Sequence, residues 1–544
     1  MDEHAKTGAQ EPATGEKGGW RETRWSLRYL ARNFFQRLWS GFKHRPKLTM
    51  LLIFIGPTLV FLERSLLQQY LLVARIYAGA VVVIAIFGFA GWILFRKRSP
   101  RWQAVGGLLG IALAMVAVIG GRGIHDYTAS YWRYITLEIV DLETLPTTYD
   151  ERVLPLNSIH SFVSERINET ETPTKPDLVK IGNEYKWTLG INQSYFVNRW
   201  SRPMYEVIHL SATSSSPELS AKSRDSVNFE IGENLNFSRN VDICTRNAFG
   251  LWRFLNYEPG NVLLAKDDAG EWVEIVSLIK WTGLIFPWPE FGGVHVIKQG
   301  GPNLLTRIVS GCGKWIPPEK IKDYPFLIGQ NIMPYEVSRY MAMSLRFQEG
   351  FLAPLPITRH GDIRIADLPE DMNQQPFTIP FRIKGGGEGK LYQYFALEPF
   401  DTDKQGLSTS FWVPADGLGP SYAYRHFRRG ESPIGVSAVA DQVRTSKRNY
   451  DWSKNAPVEH RPYIRIMADN TGDLKPRFLW LTTVVTHKRD SEGKKLGGFV
   501  AGSVPETAIT DAYRSVVVWV DSLRPPKWPS ELSEKLGPLW AEKN

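Results

Sequence analysis

The ten histidines, His4, His44, His125, His160, His209, His295, His360, His426, His460 and His487, are so spaced that no two form an HxH or HxxxH pair. Those are the spacings that place two imidazoles on one metal ion. His360-Gly361-Asp362 and Glu459-His460 come nearest and read as surface turns. No residue is assigned as a metal ligand or as catalytic, and no cofactor is expected. Ser310 to Trp315 (SGCGKW) resembles a phosphate loop only in its Gly-Lys step. Ile308 stands where the first glycine of that motif belongs, and Trp315 replaces the Ser or Thr that would face magnesium. Lys384 to Lys390 (KGGGEGK) carries Glu388, which repels phosphate, and reads as a hairpin loop. No GxSxG elbow is present, and a cysteine nucleophile would need a histidine brought beside it by the fold.

Carboxylates are available for glycosidic chemistry in any chain of this length. The aromatic content is less ordinary, with 19 tryptophans in 544 residues. Trp281, Trp288, Trp315, Trp412, Trp452 and Trp480 fall at strand ends or in Pro- and Gly-rich loops, where rings stack on sugars, dock partners or fill the space between sheets. The weight of that choice falls on core packing.

Three apolar stretches stand ahead of any such site: Leu48 to Leu62, reaching about residue 66, Ile76 to Phe95, and Ala104 to Ile119. A membrane-crossing helix needs about 20 apolar residues, and Ile76 to Phe95 contains no charge. The third stretch is rich in Gly and Ala, which suits helix contact in lipid; the first is short and carries Pro57. These stretches predict three transmembrane helices in residues 48–120 (about 48–66, 76–95 and 104–119). The loop containing Arg96, Lys97, Arg98 and Arg101 is basic, and Arg21, Arg24, Arg28, Arg32, Arg37, Lys43, Arg45 and Lys47 precede the first stretch. Positive charge marks the cytoplasmic side, so an odd number of spans puts the N-terminus inside and the C-terminal region outside the cytoplasm.

Residues 20–47 read as an amphipathic interfacial helix, with Arg21, Arg24, Arg28 and Arg32 on one face and Trp25, Tyr29 and Trp39 on or near the other. That pattern suits a lipid bilayer bearing anionic lipid. Residues 1–19 lack apolar periodicity and read as disordered.

Beyond Tyr131 the vocabulary becomes that of strands and turns. Strands are predicted at Tyr134–Leu142, Met204–Thr213 and Lys390–Phe400. Hairpins are predicted around Asp267-Asp268-Ala269-Gly270 and around Asn470-Thr471-Gly472-Asp473. Helices are predicted from Pro334 to Gly350 and from Pro529 to Trp540; Pro505 to Leu523 reads either way. The expected fold class is thus a membrane-anchored chain with a large mainly-β (α+β) region. That region divides into a lobe at 131–355 and a second at 390–544, parted by the Gly- and Pro-rich stretch between them.

The formal charge of +9 is accounted for by the basic arm and loop, so no nucleic acid partner is expected. Cys244 and Cys312 can form a disulfide in an oxidising compartment. Asn168, Asn192 and Asn236 begin glycosylation motifs. The function these features predict is that of a non-enzymatic integral membrane protein, multi-pass, whose extracytoplasmic β-rich domain binds protein partners, a second copy or a glycan within an envelope or membrane complex. An envelope enzyme acting on glycans through a carboxylate pair in a Trp-lined cleft is the first alternative. A channel or transporter subunit is the second, and few polar groups lie in the apolar stretches to support it.

Overall fold

The computed structural model describes residues 64–96, 123–148, 155–213, 219–355, 362–366, 375–383, 390–400, 406–419, 422–428, 430–468, 473–489, 495–499, 506–514, 516–521 and 528–536. All fall in one compact unit, Arg64–Asn544, built mostly of four sheets.

A seven-stranded sheet runs in the order Ile139–Asp141, Tyr422–His426, Thr409–Pro414, Lys390–Pro399, Phe377–Arg382, Thr147–Thr148, with Ile363–Ile365 also paired to Lys390–Pro399. Its first pairing is parallel, Ile139 against Tyr422. Strands from either side of the sequence's Gly- and Pro-rich stretch thus share one sheet. A second sheet joins Glu171–Pro173, Asp177–Ile181, Glu184–Gln193, Met204–Ser211 and Arg224–Phe229; a third joins Tyr257–Lys266, Trp272–Thr282, Trp288–Lys298 and Lys314–Ile316. The fourth contains Asn455–Ala468, Leu474–Arg489, Lys495–Phe499, Glu506–Asp511 and Val517–Val520.

The hairpin expected at Asp267–Gly270 forms between Tyr257–Lys266 and Trp272–Thr282. Gly270 takes a φ of 81° at its turn, a region that favours glycine. Trp272–Thr282 is buried on both faces over its first eight residues, which explains its nearly continuous apolar run. The second hairpin pairs Ala468 with Leu474; residues 469–472 at its turn lie outside the described residues. Pro334 precedes the helix Tyr335–Ser344, where its missing N–H costs no hydrogen bond. Trp528–Leu536 buries Leu532 and Leu536. The ambiguous 505–523 segment resolves into two strands, Glu506–Asp511 and Val517–Val520.

Three expectations are corrected. Tyr134–Leu142 is not one strand: a helix over 123–136 runs through Tyr134, and only Ile139–Asp141 is extended. The Thr136 hydroxyl donates to the carbonyls of Trp132 and Arg133, both at 3.0 Å, which finishes that helix. Glu459-His460 is no surface turn, since both residues are wholly buried at a bulge between Val458 and Arg461.

The third correction concerns the three-span membrane anchor with its β-rich region. Among the described residues the chain is mostly strand, and no helix is long and apolar enough to cross a membrane. The helix Arg64–Arg96, hereafter α1, takes in the residues expected as the second span, but it starts twelve positions earlier and leaves no loop before Ile76. Its first turns carry buried Arg64, Ser65 and Gln68, so this part of the helix is committed to protein rather than to lipid. The first and third apolar stretches lie outside the described residues.

Candidate functional site at the apolar end of the body

Arg64, Ser65, Gln68, Leu72 and Ile76 are buried along α1 at steps of one, three and four, the spacing of a single helical stripe. Polar groups fix its start. The Arg64 guanidinium donates to the carbonyls of Asn247 (3.3 Å), Ile308 (3.0 Å) and Val309 (2.8 Å), and burial lowers its pKa. The Gln68 amide donates to the Phe254 carbonyl and, at 2.7 Å, to that of Tyr257. Arg75 donates to the Leu255 carbonyl. These acceptors belong to the segment that carries Val241–Ala248 and Gly250–Arg253, to the start of Tyr257–Lys266, and to the helix Leu304–Val309. A long-range set of backbone carbonyls therefore sets the axis of α1.

Further along, Gly79 brings the α1 backbone against that of Ile285, an approach that any side chain at 79 would block. Tyr77 meets His125 edge-on at 5.2 Å, and His125 meets Phe286 at 6.1 Å. Tyr127 and Tyr131 hold Phe351 at 5.2 and 4.8 Å, and Tyr127 donates its hydroxyl hydrogen to the Phe351 carbonyl. These contacts tie α1 to the helix over 123–136 and to the loop after Thr282, and tie that second helix to the turn after Gly350.

Apolar side chains on these segments are exposed. Leu284 is 90% exposed and Leu352 58%. Ile124, Ile285 and Phe351 are exposed beside them, as are Val82, Ile86 and Phe89 where α1 runs on past Gly79. Single exposed apolar residues are ordinary, but a contiguous group marks a surface made for protein, lipid or ligand. This collar was not found in the sequence. Its one signal was Gly283-Leu284-Ile285-Phe286-Pro287, a turn bounded by Gly and Pro with apolar residues where polar ones are usual.

Arg21, Arg24, Trp25, Arg28, Tyr29, Arg32 and Trp39 lie outside the described residues, as do Lys97, Arg98 and Arg101; Arg96 ends α1. The structure pairs Cys244 with Cys312 in a disulfide, Cα atoms 5.4 Å apart, inside a buried cluster with Ile231, Val241, Val276 and Ile297. Gly311 and Gly313 flank Cys312 with φ near 72° and 76°, so the glycines that resembled a phosphate loop serve a tight turn. The six singled-out tryptophans are buried or half-buried. Several of their indoles donate to protein groups, Trp480 to the Ile434 carbonyl at 2.9 Å and Trp315 to that of Gly292 at 3.1 Å. Asn192, first residue of one glycosylation motif, is fully buried and donates to the Glu233 carbonyl at 2.7 Å.

Interior titratable groups are strongly perturbed. Burial raises the carboxyls of Asp177 and Glu274 well above the usual range, and it pushes Glu233 up to about 7, helped by the charge of Asp242. The Glu274 carboxyl accepts the Glu233 backbone N–H at 3.1 Å. Burial lowers His295 to about 4 and His460 to about 3. Their Nδ1 atoms contact the Cys312 carbonyl (3.0 Å) and the Thr482 hydroxyl (2.8 Å). Among the described residues no group of three His, Cys, Asp or Glu side chains could hold a metal ion.

No protein-family model matches the chain, and no curated protein matches it. Among solved structures, an uncharacterized protein from Eubacterium rectale aligns at 10% identity over 55% of this chain and 90% of that chain, with a TM-score of 0.13. That likeness carries no argument about fold or function.

Proposed function

We propose that the chain is a non-enzymatic binding or structural component of a membrane complex, whose β-rich body is held at a lipid surface by the collar around α1. The exposed group of Leu284, Ile285, Phe351, Leu352 and Ile124, beside the approach of Gly79 on α1 to Ile285, carries this reading. Burying such side chains in the acyl boundary gains about 25 cal/mol per Å² of apolar surface, and water supplies no competing partner. Tyr70, exposed on α1, suits the headgroup layer. The basic arm, with Arg24, Arg28 and Arg32, adds attraction to anionic lipid of about 1 kcal/mol per charge.

The test uses the full chain in vesicles of phosphatidylcholine and phosphatidylglycerol containing lipids brominated near the headgroup. An environment-sensitive fluorophore is placed on Leu284→Cys, on Leu352→Cys or, as an exposed polar reference, on Glu184→Cys. Quenching at 284 and 352 but not at 184 is expected. Equal absence of quenching at all three sites overturns the proposal.

A further inference from the structure

A cavity of about 420 Å³ is lined by residues of the segment 248–253, by His295 of the strand Trp288–Lys298, and by residues of the turn and edge strand that follow Ser310. His295 and Trp315 stand opposite each other on paired strands, so their side chains share one face of the sheet. Neighbouring rings hold them. Phe249 lies 5.2 Å from His295 and stacks on Tyr257 at 4.9 Å, and Tyr257 meets Trp315 edge-on at 5.7 Å. The Trp315 indole is fixed in turn by the Gly292 carbonyl.

A backbone carbonyl sets the state of His295. Its Nδ1 lies 3.0 Å from the Cys312 oxygen, and only a protonated ring nitrogen makes a hydrogen bond to a carbonyl. Cys312 is tied through its disulfide to Cys244. Gly313 keeps the approach open, since a Cβ there would come 3.3 Å from Nδ1. Burial holds the imidazole to about 4, so at neutral pH the ring carries one proton, on Nδ1, and Nε2 is a bare acceptor. No hydrogen bond to that Nε2 is found among the described residues. The Nε2 of His460 is sealed in the interior without a partner; that of His295 is not sealed, and its ring lines the cavity.

A donor stands beside this acceptor in the lining. Arg253 is exposed, its guanidinium lies 5.4 Å over the Trp315 ring, and no hydrogen bond or ion pair to it is found among the described residues. A fitting molecule must therefore offer an N–H or O–H to His295 and an acceptor to Arg253. A carboxylate has acceptors only, and its lone pairs would oppose that of Nε2. An amide carries both groups in one plane.

We propose that this cavity binds a small, planar, neutral aryl or cyclic amide, whose N–H donates to His295 Nε2, whose carbonyl accepts from Arg253 and whose ring lies beside Phe249 and Trp315. Aromatic walls with a few placed polar groups are the usual make-up of a small-ligand site. The inference is independent of the lipid-surface reading.

Titration calorimetry of the full chain in mild detergent, with injections into detergent alone subtracted, tests it with benzamide, N,N-dimethylbenzamide and benzoate. Benzamide is expected to bind at least about fivefold more tightly than either analogue, the scale of one lost or unmatched hydrogen bond. Dimethylation removes the N–H, and benzoate sets an acceptor against Nε2. Arg253→Met and His295→Phe should each weaken benzamide binding about fivefold or more. Arg253→Met removes no internal hydrogen bond, so its thermal midpoint should match the parent, and its effect reads binding even where His295→Phe folds poorly. Failure of benzamide to bind at about 10 mM, beyond the millimolar end of the affinity scale, equal or tighter binding of either analogue, or binding indifferent to Arg253→Met overturns the proposal.

Discussion

Arg64 and Val309 stand 245 positions apart, and the guanidinium of the first donates to the carbonyl of the second at 2.8 Å. With the carbonyls of Asn247 and Ile308, 183 and 244 positions away, it ties the start of α1 to distant backbone. Arg64→Met keeps much of the packing but leaves carbonyls unpaired. It should destabilise the protein by about 2–3 kcal/mol, read as a lower urea midpoint. An unchanged midpoint means the guanidinium does not fasten α1.

Gly79 tests the same docking from steric grounds. Gly79→Leu places a side chain into the Ile285 backbone, so α1 should lift from the loop after Thr282. Limited proteolysis is expected to cut near Gly283 faster than in the parent, whereas Ala78→Leu, at an exposed position one residue away, should leave the rate unchanged.

Acid should weaken the fold through its buried imidazoles. His460, at about 3 in the fold, is near 6.5 when unfolded, so between those pH values the unfolded chain holds the extra proton. Stability therefore falls as pH drops from 6.5 toward 3, by about 1.4 kcal/mol per pH unit for this one residue. His295 acts in the same direction down to about 4. His460→Gln should make the decline of the urea midpoint between pH 6 and pH 4 shallower; an unaltered slope counts against a neutral buried His460.

Glu233 works in the opposite sense. Its folded value of about 7 exceeds its unfolded value near 4.5, so the folded state holds the extra proton between them. The associated stability is present below pH 4.5 and is lost as pH rises through 7. Glu233→Gln should gain stability over the parent at pH 8 compared with pH 5, measured by chemical denaturation at both. A gain of equal size at the two pH values would show that protonation is not the cause.

The Cys244–Cys312 bridge closes a loop across 68 positions. Replacing both cysteines by alanine should cost about 2–4 kcal/mol, mostly through the freer unfolded chain. Reduction of the parent should reproduce the loss, and a parent insensitive to reductant under partly denaturing conditions would argue that the thiols are not joined.

What could be read from the residues follows what is local. The turn at Asp267–Gly270 carries its own chemistry, and Pro334 announces a helix start, so both were legible. Tyr134–Leu142 alternates like a strand, yet the preceding helix extends into it because helix ends are set by hydroxyl capping and tertiary contacts. Glu459-His460 is polar and looked exposed; only the register of two long strands shows it buried. Ile76–Phe95 read as a membrane span, but it is the later part of a longer helix whose anchors are carbonyls from residues 247 to 309, and a sequence does not display which carbonyls a distant arginine will meet. The collar and the His295 cavity are assemblies of segments remote in sequence, invisible for the same reason.

The parallel pairing of Ile139–Asp141 with Tyr422–His426 reaches across the chain, and Arg425 closes it by donating to the Leu142 carbonyl 283 positions back. During synthesis at about 5–20 residues per second, the earlier strand waits roughly 15 to 60 s for its neighbour. Through that interval its edge is open to any extended segment in reach. Birth of the protein on the ribosome thus has a vulnerable window with a defined start and a defined close, and a chaperone that shields extended edges is most useful within it.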